Sequence, residues 1–282
     1  MLVVTKAAFI GLGSMGGGQA RLIAKSDVEL AVYDSYPPAL AAFEGSARIG
    51  TSPADVARHA DLVHVCVRDD AQVEEVLFGD QGVTQTLAAG SLVAIHSTIR
   101  IETVKSLGAR LQKRGIALID APVSRTRHGE EGRFVFTMMG GNPADAERAR
   151  PVFESFSTDI MHVGALGSAM ALKITNNLVS WVELMVGCQA QRIAEHFEVP
   201  YEKLRTVMKA NGNLTPGMET LLDTHHEFAK GDKPEYDEFM ASQAGIGEKD
   251  LALAIECGTT VGLEMDMVRG AQALIRPSFE RT

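Results

Sequence analysis

Two periods of hydrophobicity divide this chain. Over roughly its first 164 residues, short β-branched apolar runs alternate with amphipathic stretches, the pattern of a parallel sheet wound with helices. The runs Ala7–Ile10, Leu30–Asp34, Leu62–Val67, Leu92–His96, Ala117–Pro122, Phe134–Met139 and Ile160–Val163 predict strands, with helices filling the gaps. Ser52-Pro53-Ala54-Asp55 predicts a helix start, with a serine N-cap and proline at the first helical position, and Asn142-Pro143-Ala144-Asp145 repeats the device.

After Gly167 the apolar residues change to helical spacing, and no proline interrupts Ala169 to Phe197. That stretch predicts a helix about 40 Å long, more than one small domain needs. Helical patterns recur at about Tyr201–Ala210, Met218–Phe228 and Glu248–Val261, with a Gly/Pro/charge-rich break at Lys230–Glu235. The expected organisation is an α/β Rossmann-type N-terminal domain, residues 1–165, and an all-α C-terminal domain, 166–282, joined by the long helix at about 169–197. Gly245 and Gly247 are expected to interrupt the approach to the last pattern, and the chain is expected to end without a closing helix.

Composition narrows the function. A formal net charge of −9 excludes a general nucleic-acid binder, which needs a basic surface, so an anionic substrate must meet a locally positive pocket. Cys66, Cys188 and Cys257 are too scattered for a metal site or a CxxC pair and read as buried free thiols of a reducing cytosol. Met1 runs within a few residues into the first strand, leaving no room for a cleaved leader, and no apolar stretch nears the ~20 residues of a membrane span. The expected location is cytoplasmic, with no metal and no membrane partner.

The chemistry begins at Gly11-Leu12-Gly13-Ser14-Met15-Gly16. Gly11 permits the tight turn after the first strand, Gly13 lets backbone approach a pyrophosphate, and Gly16 lets helix and strand pack closely. The helix opening there aims N–H groups and its positive end at phosphate. Asp34 ends the next strand about 20 residues on, where a carboxylate accepts from adenosine ribose hydroxyls and repels a 2′-phosphate. Ser35-Tyr36-Pro37-Pro38 supplies no arginine for such a phosphate, so NAD is favoured over NADP. The alternative for Asp34 is that it only caps a turn.

With that fingerprint, Asp120-Ala121-Pro122-Val123-Ser124, Gly164-Ala165-Leu166-Gly167-Ser168, Lys173-Ile174-Thr175-Asn176-Asn177 and Lys249-Asp250-Leu251-Ala252-Leu253-Ala254 in order, the chain resembles the β-hydroxyacid dehydrogenases along nearly its whole length. The family includes 3-hydroxyisobutyrate dehydrogenase, tartronate semialdehyde reductase and, more distantly, 6-phosphogluconate dehydrogenase. The resemblance implies that Lys173 is catalytic, that Ser124 and Asn177 orient substrate, and that Lys249 lies near cofactor and substrate. It also implies that Val67, Arg68 and Thr98 touch the cofactor, and that the protein is a homodimer or homotetramer. Lysine suits the role, because desolvation favours its neutral form while its ammonium form stabilises a developing alkoxide.

One departure bears on the substrate. Where relatives commonly carry two glycines after Asp-Ala-Pro-Val-Ser, this chain has Arg125 and Thr126, followed by Arg127-His128-Gly129. A guanidinium fork suits carboxylate, sulfonate or phosphate, and an Arg-Thr pair there resembles sulfolactaldehyde reductases of the same family. The alternative is that Arg125 points to solvent or pairs with Glu130 or Glu131. The leading reading is an NAD-dependent enzyme interconverting a small 3-hydroxy acid and its semialdehyde, with a sulfonate reductase as the alternative substrate class. A non-catalytic dinucleotide-binding or redox-sensing protein is the alternative of another kind, and an imine reductase is disfavoured by Lys173.

Overall fold

The computed structural model describes residues 4–126, 132–228 and 234–279, and the chain divides into two compact units, one up to Lys173 and one from Ile174. The first begins with β1 (Lys6–Ile10), α1 (Ser14–Ile23), β2 (Glu29–Tyr33), α2 (Pro37–Ala41), β3 (Arg48–Ile49), α3 (Pro53–Ala57), β4 (Leu62–Val65) and α4 (Asp70–Phe78). It continues with β5 (Leu92–Ile95), α5 (Ile101–Gln112), β6 (Ala117–Asp120), β7 (Val123–Arg125), β8 (Val135–Gly140), α6 (Pro143–Phe153) and β9 (Ser157–Gly164). Both anticipated caps form: Ser52 Oγ accepts the Asp55 N–H at 3.1 Å and Asn142 Oδ1 the Ala144 N–H at 2.8 Å.

The sheet order is β3-β2-β1-β4-β5-β6-β8-β7, with β9 also paired to β8. From β3 to β6 every pairing is parallel, in the 3-2-1-4-5-6 order of a dinucleotide fold, whose ligands lie beyond the carboxyl ends of the strands. The far side departs from the expected all-parallel sheet, because β8 runs antiparallel to β6 and β7. The expected strand Ala117–Pro122 stops at Asp120, since Pro122 has no N–H to donate to a ladder, and Val123–Arg125 resumes as an edge strand. The two-residue β3 and the early start of β9 at Ser157 carry too little apolar pattern to be anticipated.

The second unit holds most of α7 (Ser168–His196), then α8 (Tyr201–Ala210), α9 (Pro216–Phe228), α10 (Pro234–Thr260) and α11 (Asp266–Phe279). Trp181, Met185, Leu222, Met240, Leu251 and Ile275 build its core. Here two expectations fail. α10 runs through Gly245 and Gly247 because the second glycine admits neighbours: a Cβ on Gly247 would lie 2.8 Å from Ile275 Cδ1 and 3.0 Å from the Trp181 ring. A closing helix is also present, α11, whose buried Val268, Ala271, Ile275 and Phe279 keep helical spacing. The break expected at Lys230–Glu235 lies largely outside the described residues.

Among the described residues no helix is long and apolar enough to cross a membrane, and no His/Cys/Asp/Glu group is placed to hold a metal. Cys188 is buried as expected, whereas Cys66 and Cys257 are half-buried. Desolvation pushes the Cys66 thiol up to about 12 and that of Cys188 to about 11, so both stay protonated at neutral pH.

The core of the first unit contains a histidine pair. His64 and His96 are buried, stacked on Phe9 and flanked by Phe153 and Phe156. His96 Nδ1 lies 2.7 Å from the Ala121 carbonyl, which can only accept, so that nitrogen carries the proton. His96 Nε2 therefore accepts from His64 Nδ1 at 2.9 Å, and both rings are neutral. Burial lowers His64 well below its ordinary range and His96 to about 4. A histidine depressed in the folded state contributes stability that is present above its unfolded value, near 6.5, and is lost as pH falls toward the folded value. For His96 the interval from 6.5 to about 4 corresponds to about 3 kcal/mol at ~1.4 kcal/mol per unit. Urea midpoints should therefore fall between pH 6.5 and 4.5, and a flat profile there would rule out neutral buried rings.

Candidate active site

In the first unit the glycine turn is fixed from both sides. Gly11 has φ +93°, and a Cβ there would lie 2.3 Å from the Cys66 carbonyl oxygen, so the loop after β4 packs directly on the turn. A Cβ on Gly16 would lie 2.0 Å from the Gly11 carbonyl oxygen, which lets α1 start close against β1. Gly13 differs, because a Cβ there would meet no protein atom within 4 Å. Its side of the turn is open, no side chain caps the first N–H groups of α1, and Gly13 and Ser14 are exposed. Open space, free helix-end donors and absent side-chain bulk fit a pyrophosphate.

Asp34 stands just past β2, and each of its oxygens is engaged. Oδ2 accepts the Leu12 N–H at 2.6 Å and Oδ1 accepts the Tyr36 N–H at 2.8 Å. The carboxylate thus holds the glycine turn to the adjoining strand end, and its remaining lone pairs can still accept from ribose hydroxyls. Turn capping and ribose recognition are compatible in this geometry. Tyr36, which sequence reasoning passed over, presents a ring 65% exposed beside that carboxylate.

On the other side of β1, the buried Ser97 Oγ accepts the Val67 N–H at 2.8 Å, tying the loop after β5 to the loop after β4. Thr98 follows half-buried, and Arg68 is exposed, its own N–H donated to Gln72 Oε1 at 3.0 Å. Ser97 was legible only as a small polar residue beside Thr98.

Arg125, on β7, approaches the glycine turn. Its Nη2 lies 3.9 Å from Met15 Sδ, and its guanidinium stands 5.6 Å from the centre of the Phe134 ring. Phe134 itself lies on α1, since a Cβ on Gly18 would come within 2.6 Å of its ring. An exposed guanidinium is thereby held at the N-terminal end of α1. Ser124 is half-buried on the same strand. Thr126 donates its N–H to the Phe134 carbonyl at 2.8 Å, and its hydroxyl lies 3.3 Å from that of Thr158. Arg127, His128, Glu130 and Glu131 lie outside the described residues.

The most consequential residue not singled out from sequence is Asp120. It is wholly buried at the end of β6, where Oδ1 accepts the Gly167 N–H at 2.8 Å and Oδ2 the Met170 N–H at 2.7 Å. Desolvation raises its pKa, and the backbone N–H groups of Gly167 and Met170 oppose that rise. The carboxylate caps the start of α7 and so positions Lys173, which is buried to 9% exposure one turn further on.

In the second unit Asn177 and Lys249 meet at another buried acid. Asp250 Oδ2 accepts from Asn177 Nδ2 at 2.7 Å and from Trp181 Nε1 at 3.3 Å, and its Oδ1 lies 3.0 Å from Lys249 Nζ. Asp250 is 3% exposed, so it rigidly orients the Asn177 amide. With Nδ2 bonded to Asp250, Asn177 retains its Oδ1 as an acceptor. Lys173 and Asn177 are four residues apart on α7 and share a face.

This arrangement defines a dinucleotide-binding oxidoreductase. Residues 6–164 match the NAD binding domain of 6-phosphogluconate dehydrogenase. The NAD-dependent L-serine dehydrogenase of Pseudomonas aeruginosa is 34% identical over 282 residues, covering 95% of this chain and 90% of that protein. The mitochondrial 3-hydroxyisobutyrate dehydrogenase of Mus musculus is 30% identical over 262 residues, covering 91% and 76%. A solved structure of Mycobacterium tuberculosis 3-hydroxyisobutyrate dehydrogenase with L-serine shares the fold at a TM-score of 0.80, with 23% identity over 98% of this chain and 94% of that one. The chain belongs to the β-hydroxyacid dehydrogenase family, as an oxidoreductase with an NAD-binding domain.

The Asp120 cap yields a stability prediction. In Asp120→Asn one N–H keeps its acceptor while the other faces an NH₂ group. The expected loss is about 2–3 kcal/mol, checked by urea denaturation; an unchanged midpoint would show that α7 needs no carboxylate cap.

Proposed function

We propose that this protein interconverts a small 3-hydroxy acid and its semialdehyde, with NAD as cofactor and Lys173 as the general acid/base. Bound NAD would accept or return the hydride. The observation that carries the reading is the buried Lys173 on a helix whose start is fixed by Asp120, with the oriented Asn177 one turn away on the same face. Lys173 takes the hydroxyl proton on oxidation and returns it on reduction, its ammonium form stabilising alkoxide character at that oxygen. Asn177 Oδ1 accepts from Lys173, and Ser124 orients the substrate alongside.

Gly11 through Gly16 cradle the dinucleotide, with Asp34 on the adenosine ribose and Val67, Arg68, Thr98 and Lys249 completing its surroundings. The preference for NAD rests on Asp34, which carries negative charge where a 2′-phosphate would have to sit. Arg125 receives the substrate anion, and Thr126, bonded through both N–H and hydroxyl, holds the loop that presents it.

Both L-serine and 3-hydroxyisobutyrate, named for relatives, are 3-hydroxy acids, which makes them the first substrates to assay. A sulfonate reductase is the second reading, favoured by the exposed Arg125 guanidinium. Following NADH absorbance against carboxylate and sulfonate substrates separates the two, and absence of turnover on every one would support a binding-only protein.

Two substitutions test the roles. Lys173→Ala should lower kcat by ~10²–10⁴-fold while the Kd for NADH, read by fluorescence titration, stays within about twofold; comparable turnover would remove Lys173 from the mechanism. Arg125→Ala should raise KM for the acid about tenfold or more, the scale of a lost charged hydrogen bond, with KM for NAD unchanged. A rise confined to the KM for NAD would move Arg125 from the substrate to the cofactor phosphates.

A further inference from the structure

His64 and His96 form a buried titratable pair that the proposed reaction leaves unused, and their place in the sheet is specific. β4, β5 and β6 are neighbouring parallel strands, with His64 opposite Ala94 and Ile95 opposite Asp120. His96 follows directly on β5 and Ala121 directly on β6. The bonds from His64 through His96 to the Ala121 carbonyl therefore run across the carboxyl ends of all three strands.

At Ala121 a side chain continues what the backbone ladder began. The Ala121 N–H donates to the Ile95 carbonyl at 2.8 Å, and the carbonyl of this fully buried residue takes its donor from His96 Nδ1 at 2.7 Å. On the other flank the Pro122 carbonyl accepts the Met138 N–H of β8 at 3.1 Å. The peptide so held stands between two parts of the site. Asp120, which caps the helix of Lys173, precedes it, and Ser124, Arg125 and Thr126 follow within five residues. Next to His96 is Ser97, which holds the loop after β4 through the Val67 N–H.

A proton on Nδ1 leaves His96 Nε2 as a lone pair inside an aromatic cage, and His64 Nδ1 donates to it at 2.9 Å. His64 Nε2 is then buried with no hydrogen-bond partner among the described residues. Such an unmade bond is unfavourable, and an apolar side chain of similar size would avoid it. What it secures is a proton kept on His96 Nδ1. The groups packed on the two rings are Phe9 of β1, Phe153 of α6 and Phe156 just beyond it, none of them titratable. Cys66, further along β4, keeps its proton, and Asp120 gives its two oxygens to Gly167 and Met170.

We infer that His96, its tautomer set by His64, is a positioning residue that fixes the Ala121 peptide and, through it, the Asp120 cap and the Ser124–Arg125 strand. Its effect on rate rests on the reaction proposed above, and its effect on the segment rests on the fold alone.

Two substitutions separate positioning from packing. His96→Phe keeps the stacked ring and removes the donor, whereas His96→Asn loses the ring and keeps an amide N–H at the place of Nδ1. In His96→Phe, kcat for the acid should fall about 10–100-fold, the scale of a reacting group displaced by up to 1 Å. The Kd for NADH should stay within about threefold. The amides of Thr126, Gly167 and Met170 should exchange with solvent about tenfold faster, as for one lost hydrogen bond. His96→Asn should recover most of both despite a lower urea midpoint, the reverse of the order that a merely structural ring predicts. A wild-type kcat or wild-type exchange in folded His96→Phe, or equal losses in the two variants, would overturn the assignment. If the wild type turns over no 3-hydroxy acid, the reaction fails and the exchange rates alone decide the role of His96. Should neither variant fold, ¹H–¹⁵N spectra of the wild-type imidazoles decide: both rings should carry the proton on Nδ1, and a proton on His96 Nε2 would overturn the assignment.

Discussion

The buried carboxylate of Asp120 is the constraint on which the rest of the site depends. A carboxylate in an apolar interior is costly unless donors surround it, and the Gly167 and Met170 N–H groups are among those that α7 cannot satisfy within itself. Each solves the other's problem. The result joins the end of β6 to the first turn of the helix that carries Lys173. Even Gly140 follows from it, since a Cβ there would lie 2.4 Å from Asp120 Oδ1.

The same economy recurs at the glycine turn and at α10. Asp34 spends one oxygen on Leu12 and one on Tyr36, Ser97 holds Val67, and the close approach of Gly11 to Cys66 locks the turn between those ties. The ends of β2, β1, β4 and β5 thus form one bonded rim around the side of Gly13 that stays open. Asp250 does for Asn177 and Lys249 what Asp120 does for the start of α7. The polar groups expected to meet ligand are held by partners that have little freedom to move, which is what positioned chemistry requires.

Much of this was legible in the sequence because it rests on local rules. GxGxxG after an apolar run, a carboxylate one strand later and caps followed by proline each encode geometry within a few residues. Lys173 and Asn177 emerged from helical spacing together with family motifs. What stayed hidden depends on partners distant in sequence. Asp120 lies 47 and 50 residues from its donors, and Asp250 lies 73 from Asn177, so neither bond leaves a local trace. Gly247 reads as a helix breaker until Trp181 and Ile275 are seen against it, and the same tertiary packing hid the full length of α10. The closing helix α11 carries its own signal in the sequence, the helical spacing of Val268, Ala271, Ile275 and Phe279.

Electrostatics explains how a chain of net charge −9 can serve an anionic substrate. Acids near the candidate residues are not free negative charge: Asp120 and Asp250 are buried and bonded, and Asp34 is tied to two backbone N–H groups. Their fields are offset by the dipoles they anchor, over distances shorter than a Debye length. The exposed end of α1 and the Arg125 guanidinium carry the opposite sign and face open space. Local potential, not net charge, governs which ions enter a site. The first unit thus offers a positive point of entry in an acidic chain, so the net charge is compatible with a small anion beside a dinucleotide.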